Sequence, residues 1–134
     1  MADKEQIEQF LSAKMIGVVG ASTNRAKFGN KVLRCYQQHG YAAVPVHPAQ
    51  KQIEGVACVA SVSELPADVQ SISMITPPQV TEKIVALAAA KGIRNIWMQP
   101  GAQSAAAVRF CEEQGVNLIA DGTCVLVELG FDEH

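Results

Sequence analysis

Hydrophobic positions along the chain alternate between two patterns, short continuous apolar runs and apolar residues at helical spacing. Residues 15–20 form an apolar run of strand length that ends in a glycine turn, as expected for a strand covered on both faces. Apolar residues between Phe28 and Tyr36 then recur at helical spacing, and Gly40 predicts the end of that helix. The first third of the chain therefore predicts a strand followed by a helix.

The same alternation continues to the end of the chain. Five further strands are predicted at residues 41–46, 56–60, 69–75, 93–98 and 116–120. Helical segments are predicted at residues 3–12, where Asp3 and Gln6 resemble a capping box, and at residues 61–65. Further helices are predicted after Thr76, with proline in the first turn and an end at Gly92, around Val108 and Cys111 with an end at Gly115, and over residues 123–134. Strands that alternate with helices predict right-handed βαβ units, so we expect an α/β fold of Rossmann-like type. The predicted parallel sheet has the order 3-2-1-4-5-6 with helices on both faces, in one domain of residues 1–134.

Composition excludes several classes of protein. The formal net charge of -2 and the lack of a long basic run argue against nucleic-acid binding. The first six residues are polar and no apolar stretch approaches a membrane span, so we expect neither export nor membrane insertion, and a cytoplasmic protein. The four cysteines form no CxxC pair and no zinc-ligand spacing, which predicts free thiols and no metal site.

The turn after the first strand has the features of a phosphate site. Gly20-Ala21-Ser22-Thr23 offers backbone N–H groups and two hydroxyls before the start of a helix, and Arg25 and Lys27 follow closely enough to neutralise a pyrophosphate. The full GxGxxG pattern, a P-loop and a GxSxG elbow are all missing. A tight turn without a ligand is the alternative interpretation, and we expect Lys31 and Arg34 to be surface charges of the helix.

The loop after the second strand bears on the identity of the ligand. NAD-binding folds place a carboxylate there for the ribose hydroxyls, whereas this chain has His47, Pro48 and Lys51. Such a loop suits a phosphate on the ribose, as in coenzyme A (CoA) or NADP, although a solvated loop is the alternative. Thr76-Pro77-Pro78 after the fourth strand offers a hydroxyl and a rigid surface for an adenine ring or a pantetheine arm.

Five short sequence segments, taken together, are similar to those of one protein family. They are Val18-Val19-Gly20-Ala21-Ser22, the segment from Gly40-Tyr41 to Val44-Pro45-Val46-His47-Pro48, Ile53-Glu54-Gly55, Ile96-Trp97-Met98-Gln99-Pro100-Gly101, and Asp121 with Cys124 and Glu128. In these segments the chain resembles the stand-alone CoA-binding domain proteins of the YccU-like family, and also the CoA-binding domain of the succinyl-CoA synthetase α subunit. The resemblance spans residues 12–130. The family usually has Asn at the position of His47, and an Asp-Arg-Cys run near Cys124.

The resemblance implies a Rossmann-like domain that holds CoA through the glycine turn, the PVxP loop and the turns after the fourth and fifth strands. The ligand residues that it implies are Gly20, Ser22, Pro48, Thr76, Pro77, Gln99 and Gly101, with Pro100 between the last two. No catalytic group is evident, so the first hypothesis is binding of CoA or an acyl-CoA without turnover, and the terminal helices are compatible with a homodimer. An NADP-dependent reductase and a thiol-based sensor that uses Cys124 are the alternatives.

Overall fold

A computed structural model describes residues 3–133. Met1, Ala2 and His134, the last residue of the predicted C-terminal helical segment, lie outside this range. Within the range, no helix has both the length and the apolar composition needed to cross a bilayer.

Strands and helices alternate along the described residues. The strands are β1 (Met15–Val19), β2 (Ala42–Val46), β3 (Gln52–Ile53), β4 (Val56–Ala57), β5 (Ser71–Met74), β6 (Asn95–Met98) and β7 (Asn117–Ile119). The helices are α1 (Lys4–Leu11), α2 (Phe28–Gln38), α3 (Pro78–Lys91) and α4 (Ala105–Glu113). A 3-10 turn lies at Val62–Glu64 and a π-helical segment at Leu126–Gly130.

Five of these strands form a parallel sheet in the order β2-β1-β5-β6-β7. The chain moves outward from β1 to β2 and then returns past β1 to β5, so the direction of winding reverses between β1 and β5. This topology confirms the predicted Rossmann-like α/β fold. In such sheets ligands bind beyond the carboxyl ends of the strands at the reversal, which here is the edge where β1, β2 and β5 end.

The predicted third strand, residues 56–60, forms a hairpin and a bridge rather than a sixth strand of the sheet. β4 pairs antiparallel with β3 across the turn Glu54-Gly55, and Val59 makes an isolated parallel bridge to Val46 of β2. Both turn residues have positive φ, 50° and 79°, as a two-residue type I′ turn requires. The hairpin thereby projects from the sheet beside the end of β2.

The two faces of the sheet bury separate apolar layers. Ile16 and Val18 of β1 pack with α1, α2 and the C-terminal segment, whereas Ile72 and Met74 of β5 pack with α3, α4 and the 3-10 turn. This division follows from strand geometry, because successive side chains point to opposite faces. Helices therefore cover both faces, as the sequence predicts.

The helix ends follow the predicted signals. Asp3 accepts a hydrogen bond from the N–H of Gln6 at 2.9 Å, and the Gln6 side chain accepts one from the N–H of Asp3 at 3.1 Å, so the capping box is confirmed. Pro78 occupies the first turn of α3, and Gly92 ends that helix with φ 88°. Of these ends, the start of α3 at Pro78 bears on the candidate site, because it places Thr76 and Pro77 at the carboxyl end of β5.

Candidate functional site

The glycine turn after β1 packs directly against the end of β5. Gly20 has φ 94°, and a Cβ atom at this position would lie 2.1 Å from the carbonyl oxygen of Ile75. Glycine is therefore required at Gly20 for two reasons, its backbone conformation and the close approach of the neighbouring strand. Beyond it, the Ser22 hydroxyl accepts a hydrogen bond from the N–H of Asn24 at 3.0 Å and holds the loop in a tight turn.

The first turn of helix α2 packs directly against this glycine turn. A Cβ atom at Gly29 would lie 2.1 Å from the carbonyl oxygen of Gly20. Gly29 thus has the role of the third glycine of dinucleotide-binding turns, which permits close packing of helix and strand, although its spacing differs. The N-cap residue Lys27 makes no side-chain capping bond, and the Asn30 N–H donates to the Lys27 carbonyl at 3.2 Å. The N–H groups of Phe28 and Gly29 come before that bond and have no partner within the helix. This arrangement directs backbone donors and the positive end of the helix dipole at the turn.

A cleft of about 710 Å³ opens beside the glycine turn at the carboxyl ends of β1, β2 and β5. The structure brings seven residues predicted from sequence into its wall: Gly20, Ala21, Ser22, Lys27, His47, Pro48 and Thr76. Its remaining lining residues were not predicted: Val19, Phe28, Gly29, Val46, Ala60, Ser61, Ile75, Val80 and Ile84. The volume is in the range of small-molecule sites.

The unpredicted wall of the cleft is largely apolar. Helical periodicity assigns Val80 and Ile84 to the core face of α3, yet Val80 is 41% exposed and both side chains line the cleft. The spacing of apolar residues identifies an apolar face of a helix, but it does not show whether that face packs on the sheet or lines an open cleft. Gly29 did have a sequence signal, because a glycine one residue inside a predicted helix indicates a close backbone approach.

His47 holds the loop after β2 in shape. Its Nδ1 atom accepts hydrogen bonds from the N–H groups of Ala49 at 3.0 Å and Gln50 at 3.1 Å, so the ring hydrogen resides on Nε2. The Oδ1 atom of an asparagine is likewise one bond beyond Cγ and can accept the same two bonds. His47 therefore replaces the usual Asn of the resembled family without loss of this turn.

A second, smaller pocket of about 220 Å³ lies on the other side of Ile75 and Thr76, which line both cavities. Pro77, Pro100 and Gly101, three of the candidate residues from the sequence, line it. The hydroxyls of Thr76 and Thr81 are 2.6 Å apart, which ties the end of β5 to the first turn of α3. The two pockets therefore adjoin at Ile75 and Thr76.

Gln99 lies beneath this edge rather than in either pocket. Its side chain is fully buried, its Nε2 donates to the Ser73 hydroxyl at 2.9 Å, and its Oε1 accepts from the N–H of Val125 at 3.0 Å. The Tyr36 hydroxyl lies 2.9 Å from the same Ser73 oxygen. These contacts join α2, β5 and the C-terminal segment, so Gln99 supports the edge from inside.

Four other predicted residues lie outside both pockets. Thr23 and Lys51 are exposed loop residues, and Pro78 begins α3. Arg25 forms an ion pair with Glu54 at the tip of the β3–β4 hairpin. A hydrogen bond from Asn30, and further bonding to Arg25, holds the pKa of the Glu54 carboxyl below its ordinary value despite partial burial.

The expectation that Arg34 is a surface charge is wrong. Its side chain is 6% exposed, and its guanidinium lies 5.1 Å from the centre of the Phe131 ring. It also donates to the Asn30 Oδ1 at 2.6 Å and to the carbonyl of Arg25 at 2.8 Å. Periodicity missed this role because a long cationic side chain can bury its stem and still find acceptors at its end.

The cysteines are all free thiols. Burial raises the pKa of Cys35 to about 11, with a smaller contribution from the Cys124 thiol, and burial likewise raises that of Cys111 to about 11. Both are therefore protonated and unreactive near neutral pH. Cys124 is half-buried in the turn after β7, at the same edge of the sheet as the cleft. Among residues 3–133 no three His, Cys, Asp or Glu side chains are grouped so as to hold a metal ion.

Comparisons with known proteins agree with this architecture. A family model described as CoA binding domain matches residues 14–130. A conserved hypothetical protein from Pyrococcus furiosus has a similar structure, with a TM-score of 0.81 and 40% identity over 87% of this chain and 98% of that one. The uncharacterized protein YneT of Bacillus subtilis is 27% identical over 129 residues, 92% of either chain.

A longer relative is an enzyme subunit. The α subunit of an ADP-forming acetate–CoA ligase II from Pyrococcus furiosus is 24% identical over 91 residues. The match covers 67% of this chain and 20% of that subunit. The chain therefore corresponds to about a fifth of the length of this ligase subunit.

Proposed function

This chain belongs to the CoA binding domain family, and from that premise we propose that it binds coenzyme A or an acyl-CoA in the cleft at the carboxyl end of its sheet, without turnover. The observation that carries the proposal is the junction of the Gly20 turn with the start of α2, inside a cleft of about 710 Å³. Backbone N–H groups and a helix N-terminus at one point suit a pyrophosphate.

The lining of the cleft supports an assignment for each part of the ligand. We assign the pyrophosphate to the turn from Gly20 to Ser22 with the Lys27 side chain nearby, since both line the cleft. The apolar wall formed by Val80 and Ile84 suits the flat adenine ring. We assign the pantetheine arm to the second pocket at Pro100, because that pocket adjoins the cleft at Ile75 and Thr76.

The 3′-phosphate of CoA is assigned to the loop after β2. His47 and Pro48 line the cleft there, and Lys51 is an exposed cation four residues beyond His47. A lysine on a mobile stem can reach a phosphate from outside the cleft wall.

The cytoplasmic location and the homodimer stay predictions.

Calorimetric titration with CoA, dephospho-CoA, NADP and NAD tests the proposal. We expect CoA to bind most tightly and dephospho-CoA to bind about tenfold more weakly, since one charge-assisted contact is worth roughly 1.5–3 kcal/mol. Binding of NADP without CoA would overturn the proposal and favour the reductase alternative. A CoA adduct on Cys124, detected by mass and lost on reduction, would favour the thiol sensor.

Substitution of Lys51 tests the phosphate assignment separately. Lys51→Ala should reduce the ratio of CoA to dephospho-CoA affinity towards one, while leaving dephospho-CoA binding unchanged. Lys14→Ala is the matched control, because Lys14 is exposed and precedes β1 at the opposite edge of the sheet. An unchanged ratio in Lys51→Ala would show that another group contacts the phosphate.

A further inference from the structure

The motif Ile53-Glu54-Gly55 has no role in the proposed ligand contacts, and neither do the buried polar residues Asn30 and Arg34 of α2. Asn30 is fully buried, yet every polar atom of its side chain has a partner. A buried amide with three hydrogen bonds is held in one orientation, because the loss of any of them leaves a polar group unsatisfied.

The partners of Asn30 determine which way its amide faces. Arg34 can only donate, so the Asn30 Oδ1 must face it, at 2.6 Å from the Arg34 Nε. The Asn30 Nδ2 then donates to two acceptors, the Ser22 carbonyl at 2.9 Å and the Glu54 Oε2 at 3.0 Å. Arg34 on one side and Glu54 on the other therefore direct the amide donor at the backbone of the glycine turn.

This contact fixes the orientation of a peptide group in the turn. The Ser22–Thr23 peptide is trans, so its carbonyl and its N–H point in opposite directions. Since the Ser22 carbonyl points at Asn30, the Thr23 N–H points away from it. Arg34 also draws the carbonyl of Arg25 inward, at 2.8 Å. Two carbonyl oxygens that would repel an anion are thus turned towards the protein.

We infer that Asn30, oriented by Arg34 and Glu54, is a positioning residue that sets the backbone of the Gly20–Asn24 turn for an anionic ligand. The inference rests on the proposed function for the identity of the ligand. It gives the β3–β4 hairpin a role, because the hairpin presents Glu54 to Asn30 from outside α2. Asn30 acts through the Ser22 carbonyl and not by contact with the ligand.

A paired exchange separates this role from a purely structural one. In Asn30→Asp/Glu54→Gln the carboxylate at position 30 still accepts from Arg34, and the amide at position 54 donates to it, so the link between helix and hairpin is rebuilt with its polarity reversed. The Ser22 carbonyl, however, then faces an acceptor in place of a donor. Glu54→Gln is the matched control, because its amide oxygen still accepts from Asn30.

Each variant has a distinct expected result in calorimetry with CoA and with inorganic pyrophosphate. The double variant should bind both at least about tenfold more weakly than Glu54→Gln, which serves as the reference because it retains an acceptor for Asn30. Because the Ser22 carbonyl loses its donor, the thermal midpoint of the double variant should lie a few degrees below that of Glu54→Gln, and the affinities are compared at a temperature where both variants are folded. Wild-type affinity in the folded double variant would overturn the inference, as would a loss of affinity that is no larger than in Glu54→Gln.

Two further readouts keep the outcomes separate. If the wild type binds pyrophosphate but not CoA, the proposed function fails and the inference stands; if it binds neither, both fail. If the double variant does not fold, the rate at which the Asn30 side-chain amide protons exchange with solvent in the wild type tests the inference. Protection of both protons, which two acceptors predict, would support the inference, and exchange at the rate of an exposed amide would overturn it.

Discussion

Substitution of Gly29 by alanine tests the closest contact at the site. The new Cβ atom would lie 2.1 Å from the carbonyl oxygen of Gly20, whereas real Cβ atoms essentially never come within 3.0 Å of another atom. The start of α2 must therefore move by about 1 Å away from the turn. Overpacking of this kind costs roughly 1–3 kcal/mol, and the better helix propensity of alanine returns about 1 kcal/mol.

The same displacement should weaken ligand binding more than it weakens the fold. A shift of about 1 Å takes donors on the turn or the helix out of the 2.7–3.2 Å range of N–H···O hydrogen bonds. We expect Gly29→Ala to lower the free energy of unfolding by up to about 2 kcal/mol and to raise the CoA dissociation constant at least about tenfold. Urea unfolding and calorimetry measure the two effects separately.

Gly40→Ala is the matched control for this experiment. Gly40 follows the other end of α2, and its φ of 83° strains any replacement, but nothing lies within 4 Å of a Cβ atom there. It should lose roughly 1–2 kcal/mol of stability without loss of CoA affinity. A Gly29→Ala variant that is about 1 kcal/mol more stable than the wild type, as helix propensity alone would make it, would refute the packing argument even if no ligand binds.

Three further predictions concern other parts of the site. His47→Asn should keep CoA affinity within about twofold, because the asparagine Oδ1 can accept the hydrogen bonds of the two turn N–H groups. His47→Ala should lower stability by about 1 kcal/mol and weaken CoA binding. Equal behaviour of the two variants in calorimetry and urea unfolding would contradict this prediction. Glu54→Gln should be less stable than the wild type by about 1 kcal/mol at pH 7. Since the folded pKa of Glu54 is lowered, that difference should disappear as pH falls through it, and a difference that grows in acid would contradict the assigned partners. A thiol reagent should label the half-buried Cys124 and Cys58 in the native protein well before the buried Cys35 and Cys111, and Cys124→Ser should remove one of the two fast labels, as peptide mass shows; rapid labelling of Cys35 or Cys111 would show local opening.

The order of helices and strands could be predicted because each element has its own spacing of apolar residues and its own residues that mark its start or end. Asp3 with Gln6 starts α1 and Gly92 ends α3, as the sequence indicates. The edge beside β2 was harder, because Val56–Ala57 has the composition of a strand and pairs locally across Glu54-Gly55 instead of along the sheet. A short apolar run does not reveal its pairing partner.

The candidate site could be predicted where backbone chemistry determines it and not where side-chain partners do. The Gly20 turn, His47 and Thr76 follow strand ends, and topology alone brings strand ends together. The roles of Asn30 and Gln99 depend on contacts with residues distant in the chain, Glu54 and Val125. No local pattern encodes those distances.

The bridge between Val59 and β2 also affects how copies of this chain could associate. Pro45 has no N–H, its carbonyl accepts from Val59, and the N–H of His47 donates to Val59. Backbone groups that face away from β1 recur at every second residue of β2, so Ala43 faces the same way as Pro45 and His47. Ala43 is therefore the residue of β2 whose N–H and carbonyl could both pair with an incoming strand. One residue is too little to template strand addition, so this edge resists growth into a continuous intermolecular sheet. Association of copies at this end would have to use side chains instead of a shared backbone ladder.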